Sequence, residues 1–109
     1  MAMAKIGKFT LYNGAAIVAR GSATSIDDYG EKTRSQTGPD ITIWFKRDVN
    51  PGDLGVPDGA IVNLYVVVVA GTDNEARQSF IFDKRSTTVA NYKITGITTS
   101  NTLELTSVG

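Results

Sequence analysis

The longest apolar run in the chain is Leu64-Tyr65-Val66-Val67-Val68-Val69-Ala70, bounded by Asn63 and the turn signal Gly71-Thr72-Asp73-Asn74. It is far shorter than the roughly 20 residues that a membrane-spanning helix needs. β-Branched side chains are stiff at χ1 and pack well on a pleated surface, so the run predicts a central β-strand. Because it is apolar on both faces, it is expected to be covered twice, once by its own domain and once by a second layer or a partner chain.

Shorter alternating segments surround it. Lys5–Tyr12 places Phe9 and Leu11 on one face and ends at Asn13-Gly14, a strong hairpin turn signal because both residues tolerate positive φ. Ala15–Arg20 then reads as the return strand, and Gly7 as a bulge or a close backbone approach. Asp40–Lys46 puts Ile41, Ile43 and Phe45 on one face and Trp44 on the other. Arg77–Lys84 pairs Phe80 with Phe82, and two last strands flank Thr99-Ser100-Asn101. Between them, 21–40 is rich in Ser, Thr, Gly and charge, and is expected to be a long polar loop. No amphipathic helix is predicted. The pattern is all-β: about seven strands in a single small β-sandwich domain over 1–109, jelly-roll or Greek-key, with a partly closed small barrel as the alternative.

Composition narrows the chemistry. There is no cysteine and no histidine, which removes disulfides, thiolate zinc sites and the usual general base at neutral pH. No Ser-x-x-Lys spacing, phosphate-binding glycine loop or paired-acid pattern occurs, so no catalytic residue, metal site or cofactor is assigned and the chain is read as a non-enzyme. Asp48–Asp53 and Asp73-Asn74-Glu75 carry oxygen ligands, but Asp and Asn serve turns in the same way. Eleven basic residues balance eleven acidic ones, leaving no global pull toward nucleic acid or an anionic membrane. Neither partner is expected. Trp44-Phe45-Lys46-Arg47 comes nearest to a nucleic-acid motif, yet a lone tryptophan more naturally fills a core. The N-terminus lacks the apolar core of a signal peptide, which predicts synthesis in the cytoplasm, with any action outside the cell needing another route such as release inside an assembled particle.

Two binding readings remain. After Arg85 only Lys93 and Glu104 are charged, so the Ser/Thr-rich C-terminal strands offer a lightly guarded edge to a partner chain. This favours a structural protein that oligomerises and fastens to a larger assembly. The alternative is a carbohydrate- or ligand-binding module that uses Trp44 or the 21–40 loop.

The Asn13-Gly14 turn, the valine strand, the Ser/Thr-rich end and the lack of cysteine, histidine and signal peptide together resemble the small β-sandwich decoration, or cement, proteins of tailed-phage capsids. That resemblance implies a virion protein that stabilises an assembled shell. Its contacts would fall on Ile26, Tyr29 and Arg34 in the polar loop, on Trp44, and on an N-terminal arm, Met1–Lys5, that ends in Lys5.

Overall fold

The computed structural model describes residues 3–109, which form eleven β-strands in two facing sheets. They are β1 (Lys5–Ile6), β2 (Lys8–Ala15), β3 (Ala19–Ile26), β4 (Lys32–Arg34), β5 (Asp40–Ile41) and β6 (Lys46–Val49), then β7 (Ile61–Val68), β8 (Asn74–Glu75), β9 (Phe80–Phe82), β10 (Val89–Ile97) and β11 (Ser100–Val108). The seven-stranded sheet runs β1-β9-β7-β3-β4, with β5 added to β3 and β8 to β7; the four-stranded sheet runs β11-β10-β2-β6. Both are mixed, because β1 pairs parallel with β9 and β2 parallel with β10. The molecule is a small β-sandwich, and it does not close into a barrel.

Alternation builds the core. Phe9, Leu11, Tyr92 and Ile94 from the four-stranded sheet meet Val62, Leu64, Val66, Phe80 and Phe82 from the other. Phe9 sits edge-to-face against both Phe80 (6.2 Å) and Tyr92 (5.8 Å), the arrangement that ring quadrupoles favour. Gly7 allows the chain to pass close to Ser86, whose carbonyl oxygen would lie only 2.1 Å from a β-carbon at that position.

Several sequence expectations change. The valine strand is central, but its outer face is not sealed. Val62, Leu64, Val66 and Val68 are buried between the sheets, while Ile61, Asn63, Tyr65 and Val67 are half-buried outside. Arg34 lies 4.9 Å from the centre of the Tyr65 ring, and the Tyr65 hydroxyl donates to Asp73, so local polar side chains cover what a sister subunit was expected to cover. Asn13-Gly14 makes no hairpin. β2 runs through both residues, held by an eight-residue parallel pairing with β10, and β3 belongs to the opposite sheet. Half of the expected 21–40 loop is strand: β3 pairs with β7 along its whole length and β4 folds back onto it.

Tyr92 carries a pH prediction. Burial pushes its phenol from 10.0 up to about 12, and its hydroxyl donates to Gln78. The folded value lies above the unfolded one, so this contribution is complete below pH ~10 and is lost as pH rises toward ~12. Urea midpoints should show about 2–3 kcal/mol vanishing over that window, and Tyr92→Phe should remove the step.

Candidate functional site

Four connections meet at one end of the sandwich: 16–18 between β2 and β3, 42–45 between β5 and β6, 69–73 between β7 and β8, and 98–99 between β10 and β11. Main-chain bonds tie them together, Ala16 N–H to Gly96 O, Val69 N–H to Val18 O and Thr72 N–H to Thr98 O. The segments that converge there, 13–19, 41–45, 66–72 and 94–103, contain no charged residue. The opposite end carries Asp27, Asp28, Glu31, Asp58, Asp83, Lys84 and Arg85.

The uncharged end is apolar and open. Trp44 is 67% exposed, Phe45 65% and Ile97 55%. Beside them lies a shallow concavity of about 520 Å³ lined by Ala16, Ile17, Val18, Thr42, Ile43, Val69 and Thr98. Phe45 N–H donates to Thr42 O, closing a turn whose third residue, Trp44, has φ +72°. A positive φ at that position belongs to a type II turn, where glycine or asparagine is the usual occupant. The other non-glycine residue with positive φ among the described residues is Ala70 (φ +56°), at the same end. Left-handed backbone at non-glycine residues costs of order 1–3 kcal/mol each and clusters where function holds it in place.

Asn13 is the fastening point. It is fully buried, its amide donates to the carbonyls of Ile17 and Ile41 (2.9 Å each), and its Oδ1 accepts from Ala15 N–H. Its main chain accepts from Trp44 N–H (2.7 Å) and donates to Phe45 O (2.9 Å). One side chain thus fixes the 16–18 connection and the end of β5, and the strand that carries it anchors the Trp44 turn.

The residues predicted from sequence do not converge. Trp44 stands at the uncharged end, exposed rather than in the core where a lone tryptophan was expected. Tyr29, 96% exposed, caps the β3–β4 turn at the opposite end, and Arg34 lies on the outer face of the seven-stranded sheet. Lys5 and Ile26 share one cross-strand row there, separated by Ile81 and Ile61. Met1 and Ala2 of the proposed arm lie outside the described residues. Sequence reasoning missed Phe45, Ile97 and the Ile17–Val18 and Ile43 lining. The available signal was the four uncharged segments rather than any local motif. Among the described residues no cluster of His, Cys, Asp or Glu forms a potential metal site, and no helix is long and apolar enough to cross a membrane.

No family model matches the chain, and no curated protein sequence does. Solved structures with a similar arrangement include pneumolysin (15% identity over 91% of this chain and 23% of that one, TM-score 0.49) and listeriolysin O (15%, 91% and 22%, 0.47). A third is the membrane-binding domain of pneumolysin (16%, 90% and 93%, 0.43). The chain spans less than a quarter of the first two, and at these values the likeness assigns no activity. None of these is a capsid decoration protein, so the expected membership of the phage capsid decoration class is corrected, and with it the assembly-fastening role, the capsid partner and the cytoplasmic or virion location. The expected exclusion of membranes is corrected as well, since one of the similar structures is itself a membrane-binding domain.

Proposed function

We propose that this chain is a non-catalytic binding module whose uncharged end docks on the interfacial zone of a lipid bilayer. The observation that carries the reading is that end itself: four charge-free segments, 13–19, 41–45, 66–72 and 94–103, presenting Trp44, Phe45 and Ile97 to solvent. Exposed apolar clusters mark contact surfaces, and tryptophan in particular favours the headgroup region, where its ring is buried and its N–H stays wet. A sugar platform would pair the ring with convergent polar groups, whereas the neighbours of Trp44 in its turn are Thr42, Ile43 and Phe45. The absence of histidine and cysteine supports the non-catalytic part of the proposal.

Burying Trp44 and Phe45 is worth about 1.5–3 kcal/mol each, about 3–6 kcal/mol together. That corresponds to dissociation constants from millimolar to tens of micromolar, hence reversible docking for a single module. Flotation with phosphatidylcholine vesicles tests it. The protein should rise with the vesicles at millimolar lipid, and a protein that stays at the bottom of the gradient at every lipid concentration contradicts the reading.

A further inference from the structure

Next to the uncharged end, the outer face of the four-stranded sheet carries a row of polar side chains. The register pairs Lys46 with Tyr12, Tyr12 with Lys93, and Lys93 with Glu104. Directly paired residues project from the same face, so two ammonium groups flank one phenol. Lys8, on the same strand as Tyr12, is neutralised by Asp48 at 2.7 Å, whereas among the described residues neither Lys46 nor Lys93 joins an ion pair. Glu104, beyond Lys93, is the acid on that row.

The row leans toward the uncharged end. A β-carbon built on Gly14 would stand 3.4 Å from Cε1 of Tyr12 and 3.5 Å from Cε of Lys93, so the ring and the lysine stem both lie over the bare glycine. On the other side of the row a shallow concavity of about 450 Å³ is floored by the hydroxyls and amide of Thr10, Asn91 and Ser107. The height fits a bilayer. Tyr12 is three residues from the end of β2 at Ala15, about 10 Å along an extended strand. Interfacial elements sink their apolar surface about 5–10 Å, which sets the row level with the headgroups. Lysine stems at that depth lie along apolar surface and hold their ammonium in the polar layer.

We propose that Lys46 and Lys93, on either side of Tyr12, form a binding site for the phosphate of a lipid headgroup. The proposal rests on the lipid-docking reading and adds its polar half. A free phosphate meets only two solvated lysines. A bilayer, by contrast, presents phosphates at high local concentration to a row already held against it by Trp44 and Phe45, and this favours the lipid as the source.

The test compares the parent with K46Q/K93Q on phosphatidylcholine–phosphatidylglycerol vesicles and on phosphate-free dodecyl maltoside micelles, with circular dichroism to confirm folding. The expected result is a loss of vesicle partitioning of about tenfold or more, while the blue shift of Trp44 emission in micelles is unchanged. Equal vesicle partitioning of parent and variant overturns the site and leaves the docking reading standing. A parent that binds neither surface overturns both. Competition by millimolar inorganic phosphate that abolishes the difference between parent and variant overturns the lipid as the source and assigns a free-anion site instead.

Discussion

Trp44→Gly is expected to weaken vesicle binding by about tenfold to a hundredfold while leaving the fold as stable as the parent or slightly more stable. The two halves of this result have separate causes. The ring, exposed in solution, contributes about 1.5–3 kcal/mol when it enters an apolar phase, and deletion forfeits all of it. The backbone at this position holds φ +72°, a conformation that glycine adopts without a Cβ penalty. Relief of about 1–2 kcal/mol is offset by the larger entropy of an unfolded glycine, leaving a net change of about 0–1 kcal/mol in favour of the variant. Adding Phe45→Ser should bring binding below detection. Flotation together with thermal denaturation reads both quantities. A tryptophan retained only to fill a core would give the opposite pattern, with stability lost and binding unchanged.

Asn13→Ala should be among the most damaging single substitutions to stability. It leaves the buried carbonyls of Ile17 and Ile41 without their donor and Ala15 N–H without its acceptor. Each orphaned group costs about 1–3 kcal/mol, so a total of about 3 kcal/mol or more is expected, a large part of the stability of a small domain. Urea denaturation measures it. Asn13→Asp should also be destabilising at neutral pH, because a carboxylate keeps the acceptor but faces two carbonyl oxygens it cannot donate to. A loss below about 1 kcal/mol for Asn13→Ala would show that the end is not held together through this side chain.

Asn13 also shows where sequence reading reaches its limit. Asn-Gly is a strong local turn signal, yet here a long-range parallel partner and a buried amide network override it, and neither is visible in a window of a few residues. The long strands were legible because alternation is local: Phe80 and Phe82 share the core face, and Leu103 and Leu105 pack against it from β11. The 21–40 segment was not legible because β3 is built from small residues: Gly21 and Ala23 face the core, with β6 passing close to Gly21, while Ser22 is covered on the other face by Ser35 and Gln36. At Gly21 a β-carbon would fall 2.3 Å from Val49 Cγ2. Trp44, a candidate residue on the sequence reading, was placed on a regular strand face. The turn from Thr42 to Phe45 breaks that alternation and exposes Trp44 and Phe45 together. The rest of the end is assembled from four segments distant in sequence, so only their common lack of charge could have linked them.

The most direct test of lipid docking uses the chain's single tryptophan as its own reporter. Emission of the unmodified protein is recorded as phosphatidylcholine vesicles are added, with and without bromine on the lipid acyl chains. Docking through the uncharged end predicts a blue shift that saturates with lipid and is quenched by the brominated chains. An emission spectrum that stays at its solvent-exposed position, unquenched at millimolar lipid, would contradict it.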